Sequence, residues 1–442
     1  MAIYPSSPSL VPSIAVYPSS VNVPTDQTGT QITYVVKAVW DNVQNTSIQF
    51  DISTFGEGDK FADPLVADFT AVDGTVDTIG NIESIRIKRG RDNNLEAFGM
   101  GECVITIVDN TGRYNPANAS GPLYGKLRPM RQVLITAQLP GQAEVSLFRG
   151  YIRSIDHRAY SNQKKTTITC GDFLLYLNRT KPVYSAVGRA STTGEGISSI
   201  LTAATFTNNS LLSIEQGDVI PSPGISNTAI GSSALSQIQD LLEIERGDFY
   251  IAGNGVVTYS QRASRATKAT FATYQDISGY VIASSDLERV KNKATVTKDI
   301  ADPGVDITST WTDGISVSNY GQQDFSEIKS VYIYDTAQTL SLAQWLVAQR
   351  ANPLVTFRNI ELTLNALNIA DSQYALSTEL SSRVFVSNTA IGQSVRGYFV
   401  EAVEHKIEVG SHTIEYNLLP IFAEVMVLDR TEAVLDSAVL TY

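Results

Sequence analysis

The sequence predicts a mainly β protein with short helices, a β-rich α+β chain, and three observations carry that expectation. Runs of alternating apolar and polar residues recur between 82 and 177 and again from 356 to 420, with turn residues between them. Thr, Ser and Val abound and Tyr numbers 20, a composition that leans towards strands. Helical periodicity is confined to short stretches in the middle of the chain. At 442 residues the chain is too long for one ordinary core, so two to four domains are expected. With 43% hydrophobic and 18% charged residues it has the balance of a folded globular protein, not a disordered one.

Residues 1–30 carry five prolines among serines and valines and read as an extended N-terminal arm, mobile or laid across a neighbouring subunit. The block 31–180 opens with alternating runs at 32–40 and 47–52, passes a loose stretch holding Gly56, Gly58, Pro64 and Gly74, and becomes dense from Ile82. Strands at 82–90 and 101–110 are split by the turn chemistry of Arg91-Asp92-Asn93-Asn94; a long polar loop and a strand at 132–137 follow. Some six strands up to 177 indicate an antiparallel sandwich or small barrel. Residues 181–270 form a mixed α+β middle domain. There Ile197, Ile200 and Leu201 share one helical face, and Leu235, Ile238, Leu241 and Leu242 share another. A hairpin at 249–259 turns on Asn254-Gly255, the strongest short-range hairpin signal in the chain. Residues 271–355 read as further strands ending in a helix at about 337–349, with Leu342, Trp345 and Leu346 inward and Asn352-Pro353 as its stop. Strands resume over 356–422, at 357–364 and 383–386, and residues 423–442 are a C-terminal tail that alternates weakly.

One segment occurs twice. Residues 149–157 read RGYIRSIDH and residues 396–405 read RGYFVEAVEH, each followed by a polar turn and a second alternating run, at 166–170 and 412–416. The residues alone leave two readings open: chance, because such strings are cheap in β-rich chains, or two copies of one β-domain.

Chemistry-bearing patterns are sparse. A net charge of −12 argues against a protein that wraps nucleic acid on a basic surface. It is compatible with simple solubility or with a negative lumen that DNA passes without sticking. Cys103 and Cys170 lie in alternating runs and read as buried small hydrophobes. No stretch of 18 apolar residues occurs, and no secretory signal is expected at the start. His157, His405 and His412 sit in or beside strands, too few for a His-rich metal site, and are expected to be structural. Asp68, Asp73 and Asp77 match no calcium loop, and Gly194-Glu195-Gly196 reads as a helix start, not a dinucleotide fingerprint. No catalytic residue, metal site or cofactor is expected.

The order of several motifs carries a resemblance over about 82–420. Residues 98–116 (FGMGECVITIVDNTGRYNP), 121–125 (GPLYG) and 147–152 (LFRGYI) resemble the minor tail proteins of long-tailed bacteriophages, especially those infecting actinobacteria, in the baseplate hub family. The helix at 234–242 followed by 245–251 (ERGDFYI) and 255–259 (GVVTY), and then 314–321 (GISVSNYG), is similar to that family's middle region. The resemblance implies two similar antiparallel β-barrel domains, 31–180 and 356–422, flanking the mixed region. It implies a non-enzymatic structural protein of the virion tail tip, assembled in the host cytoplasm. A homotrimer would turn three chains into a ring of six similar domains, join the sixfold tail tube to a threefold tip, and line the channel for DNA. Implied partners are other copies of the chain, the distal tail or tube protein ring, the tape measure protein and tip or fibre proteins. DNA is met only in transit, and no stable membrane insertion is implied. Arg149, Tyr151, His157, Arg396, Tyr398 and His405 are then interface candidates at matching places in that ring. Two rivals are a tail-associated cell-wall or polysaccharide hydrolase, which needs a carboxylate pair or metal cleft, and a carbohydrate-binding adhesin, suggested by the abundant Tyr.

Overall fold

The computed structural model describes residues 21–22, 32–40, 76–91, 97–159, 163–182, 192–206, 209–218, 232–275, 281–284, 290–299, 306–352, 356–364, 367–389, 393–421, 424–425 and 438–439. The arm, except for a two-residue strand Val21–Asn22, lies outside these residues, as do the 47–52 run, the 56–74 stretch with Asp68 and Asp73, and most of the tail. Of the tail, Glu424–Val425 and Ala438–Val439 pair as short parallel strands.

The chain is a β-rich α+β protein, and its strands repeat one topology. A first unit takes six strands in chain order: Thr33–Val39, Ile82–Gly90, Gly99–Val108, Gln132–Gln138, Val145–Ala159 and Lys164–Gly171. Across the sheet they run first, fourth, fifth, sixth, third, second. A second unit takes Thr270–Gln275, Val281–Ser284, Thr356–Thr363, Arg383–Asn388, Gln393–Glu408 and Ser411–Pro420, and shows the same permutation. Two of these strands fall in the stretch that the sequence placed between the β-domains. The copies differ at one end: Thr33–Val39 pairs antiparallel with Gln132–Gln138, whereas Thr270–Gln275 pairs parallel with Arg383–Asn388.

Among the described residues no ladder closes either unit into a barrel. In the first, Val76–Thr78 pairs with Thr33–Val39, and the chain runs on through Ile79, whose N–H donates to Val36 O at 2.8 Å, into Ile82–Gly90 at the opposite end of the order. The sheet thus curls until its ends are linked by a short stretch of chain. The two units are also fused, because Ser84–Gly90 pairs antiparallel with Ala402–Glu408. One core runs under both units, fed by inward residues such as Ile85, Ile87, Ile105, Ile168, Val403 and Ile414. Alternation explains it: in Ile82–Gly90, Ile85 and Ile87 are buried while Arg86 and Lys88 face outward.

A second core holds the middle. The predicted helices form at Thr193–Ala203, Ala234–Glu245 and Thr336–Arg350, burying Ile197, Ile200 and Leu201, then Ile238, Leu241 and Leu242, then Leu342 and Leu346. Trp345 and Leu235 are partly buried against the same core. The Asn254-Gly255 hairpin joins Asp248–Ile251 to Val257–Ser260, with Gly255 at φ +89°, where a side chain would be strained. Further helices interrupt stretches read as strand or loop. Phe173–Arg179 starts at Asp172, whose carboxylate accepts from Leu174 N, and Gly314–Tyr320 starts at Asp313, whose carboxylate accepts from Ser316 N. Both are short, so the caps weigh more than periodicity in starting them. None of the described helices is long and apolar enough to cross a membrane.

Candidate interface built on the duplicated hairpins

The two repeated segments are the long strands Val145–Ala159 and Gln393–Glu408, each paired in a hairpin with the next strand. Each hairpin ladder contains one β-bulge. In the first the register shifts between Ile152 and Ser154, at Arg153; in the second it shifts between Val400 and Ala402, at Glu401. Beyond the bulge the hairpins match residue for residue. Ser154 faces Thr169, Ile155 Ile168, Asp156 Thr167 and His157 Thr166; in the other, Ala402 faces Asn417, Val403 Tyr416, Glu404 Glu415 and His405 Ile414. The string ending in acid-His is therefore equivalent in the two copies.

Before the bulge the match slips by one. Tyr151 lies two residues ahead of Arg153, but Tyr398 lies three ahead of Glu401, so Phe399 holds the place of Tyr151. A one-residue slip turns a strand side chain to the opposite face. Accordingly Tyr151 packs with Phe173 in the middle core, while Tyr398 packs with Phe357 in the sheet core. The shared RGY letters mark the hairpins without marking equivalent side chains.

The candidates sort by exposure. Tyr151, Tyr398 and His405 are buried inside this chain, so their side chains pack within it and are not open to a partner, while Arg149, His157 and Arg396 are half-buried. His157 Nδ1 lies 2.8 Å from Thr166 Oγ1, which donates to Asp109 Oδ2. His405 Nδ1 lies 3.1 Å from His412 Nε2, and His412 Nδ1 lies 2.7 Å from the Tyr34 hydroxyl. The links are satisfied when Tyr34 donates to His412 Nδ1 and His412 Nε2–H donates to His405 Nδ1. Burial pushes His412 down to about 3 and His405 well below the ordinary imidazole value, so both stay neutral and structural, as expected of them. Of the three aspartates, Asp77 ties the first unit together: it accepts from Arg113 at 2.9 Å and from Trp40 Nε1 at 2.9 Å. Cys103 and Cys170 are free, buried and directly opposite one another across two strands.

The joint between the units holds residues that the sequence did not single out. Glu401, at the second bulge, is buried and accepts from Arg91 Nε at 2.5 Å and from Arg265. Asp248 accepts from Arg91 Nη2 at 2.8 Å, Arg265 Nη1 at 3.1 Å and Ser381 Oγ at 2.5 Å. Burial pushes Asp248 up, but Arg265 and Arg91 outweigh it and hold the carboxyl below its ordinary value. Arg91 stacks on Phe98 at 4.1 Å and Arg265 on Phe399 at 4.4 Å. Two cations and two anions thus clamp the end of the first unit, the middle region and the second hairpin at one buried point. These residues come from separate stretches, Arg91 from a turn read in the sequence and Asp248 and Glu401 from inside the motifs at 245–251 and 396–405, and no local pattern there shows that they meet.

A cleft of about 520 Å³ opens beside Arg91, lined by Phe98, Phe249, Asp240, Glu243, Arg246 and Lys291. Among the described residues no group of His, Cys, Asp and Glu is placed to hold a metal ion.

No protein-family model matches the sequence, and no curated protein matches it significantly. Solved structures do share its fold. The tail protein from Neisseria meningitidis MC58 superposes with a TM-score of 0.52 at 12% identity, over 78% of this chain and 94% of that one. The 43 kDa tail protein of prophage MuSo2 from Shewanella oneidensis gives a TM-score of 0.51 at 14% identity, over 78% of this chain and 96% of that one. The fold is that of phage tail proteins, in line with the resemblance read from the motifs.

Proposed function

We propose that the chain is a non-catalytic structural component of a bacteriophage tail, a trimeric hub at the tail tip that joins the sixfold tube to a threefold tip and lines the channel for DNA. The observation that carries this is the internal duplication: two six-stranded units with one topology, fused edge to edge in one chain. A chain that presents two like surfaces converts three subunits into six near-equivalent contacts, which a single patch cannot do. The tail proteins that share the fold support the setting. The partners are the tube or distal tail ring on the sixfold side and tip, fibre or tape measure proteins elsewhere. Light scattering on the purified chain is expected to give three copies per particle. Its cryo-EM map is expected to relate the two units by a rotation near sixty degrees about the ring axis. A stable monomer or dimer that tail partners do not convert, or units unrelated by such a rotation, would overturn the hub. Turnover of peptidoglycan or polysaccharide by the purified chain would overturn the non-catalytic part and direct attention to the cleft beside Arg91.

A further inference from the structure

Among the described residues, strands cover the second hairpin along its outer edge and not the first. Past the bulge at Glu401, the strand from Ala402 to Glu408 pairs on one side with its hairpin partner and on the other with Ser84–Gly90. Past the bulge at Arg153, the matching strand pairs with its hairpin partner alone, because its other ladder, to Gln132–Gln138, ends at Tyr151. Among the described residues no strand borders Ser154–Ala159 on that side. Burial follows the pairing: Ala402, Val403, His405 and Ile407 are buried, whereas the equivalents Ser154, Ile155 and His157 are half-buried and Ala159 is exposed.

The covering strand has a counterpart as well. Ile82–Gly90 is the second strand of the first unit and lies at the end of that unit's order, beside the third. Its equivalent in the second unit is Val281–Ser284, beside Thr356–Thr363 at the end of the large sheet, with no strand on its other side among the described residues. The chain therefore shows one complete junction, Ile82–Gly90 against the second hairpin, and both halves of another, left apart.

We infer that Val281–Ser284 of one copy pairs antiparallel with Ser154–Ala159 of a second copy, repeating between chains the junction seen within the chain. This rests on the assembly proposed for the protein and names the backbone contact that builds it. Strand addition satisfies two rows of amides and carbonyls, the usual hazard of an open edge. The register follows from the observed junction. Ile85 and Val281 are equivalent, because they face Ile105 and Ile360; the second ladder shifts register just past Val281, with the extra residue in Thr356–Thr363, so the numbering along Val281–Ser284 itself runs on unbroken. Since His405 faces Ile87 and Lys406 faces Arg86, the copied junction sets His157 opposite Ala283 and Arg158 opposite Ile282. The contact is heterologous, so successive copies add in one direction and close a ring in which junctions within and between chains alternate.

The test is a double variant, Arg158→Cys with Ile282→Cys, in the full chain, bridged by diamide and in parallel by a short bismaleimide. Cys103 and Cys170 are buried and do not compete. Covalent dimers and trimers are expected from the double variant and neither from a single variant alone; mixing the two single variants should give dimers and nothing larger. Amide exchange over 154–159 should slow at least tenfold on assembly. Trimers by light scattering with neither cross-link nor protection would overturn the strand pairing and leave the hub standing. A chain that stays monomeric, with tail partners present, and gives no cross-link would overturn both. Links that form equally in either single variant would show a twofold contact instead and overturn the proposed direction.

Discussion

The two hairpins share a bulge and the register past it, yet their surroundings are opposite. Arg153 stands at its bulge 40% exposed and pairs with the still more open Glu102 at 2.9 Å, while Glu401 stands at the matching bulge 4% exposed between two arginines. The difference is one of neighbours, since the backbone is the same. The second hairpin has Ser84–Gly90 and the middle region packed on it, so a charge placed there must be paired. The first faces outward, where a charge is cheap and also keeps an open edge from sticking indiscriminately. A duplicated element thus records which of its copies is finished within the chain.

Removing the bulge charge separates the two cases most sharply. Glu401→Ala leaves Arg91 and Arg265 buried without one of their two carboxylates, and loss of a partner from such a cluster costs about 3–5 kcal/mol. Arg153→Ala breaks only an exposed pair and should cost about 0–1 kcal/mol. Urea unfolding of both variants is the measurement, and equal losses would mean that the joint is not carried by this cluster. Gly90→Ala comes next. Gly90 has φ +119°, and an added Cβ would meet Glu401 O at 2.3 Å and Ala402 Cα at 2.4 Å, at the point where the units fuse. Backbone strain there accounts for roughly 1–3 kcal/mol before any separation of the strands. Amide exchange in Ser84–Gly90 should quicken with little change in the middle helices; uniform quickening would argue that the units do not separate there.

What the residues disclosed follows from range. Hairpins, caps and amphipathic helices are local, so 149–157, 396–405, the Asn254-Gly255 turn and the helices holding Ile238 and Leu342 are legible without a partner in view. The strand permutation and the joint are not, because the first pairs Thr33–Val39 with Gln132–Gln138 and the second pairs Ile82–Gly90 with a strand more than three hundred residues later. Nor does a string of letters show a bulge: RGY aligns by eye, but the slip ahead of Glu401 sends Tyr398 to a different core from Tyr151. The joint of Arg91, Asp248, Arg265 and Glu401 was hidden for the same reason, since a charge shows its burial only once its partners are placed.

The smallest expected effect concerns acid. His405 and His412 belong to the second hairpin and reach Tyr34 of the first unit, so the chain of three crosses the joint. Burial holds His412 at about 3, whereas an unfolded imidazole titrates near 6.5. Between those values the unfolded chain takes up a proton that the folded chain refuses, so this contribution is unchanged above about pH 6.5 and falls as pH drops below it. Asp172, pushed up to about 7 by burial that outweighs the hydrogen bonds it accepts from the Gly101 and Leu174 amides, acts with the opposite sign. Its folded form holds the proton more tightly, so its contribution is full below about pH 4 and is lost as pH rises towards 7. The two oppose each other near pH 6, where each amounts to roughly 1 kcal/mol on the slope of about 1.4 kcal/mol per pH unit. The contributions of these two groups to the urea midpoint from pH 5 to 8 should therefore nearly cancel in the parent. His412→Gln should make the chain relatively more stable towards acid, and Asp172→Asn, which keeps a cap, should make it relatively less so. A His412→Gln profile with the parent's shape would mean that the imidazoles at the joint titrate freely, and the neutral chain from Tyr34 to His405 would then not be what holds the two units in register.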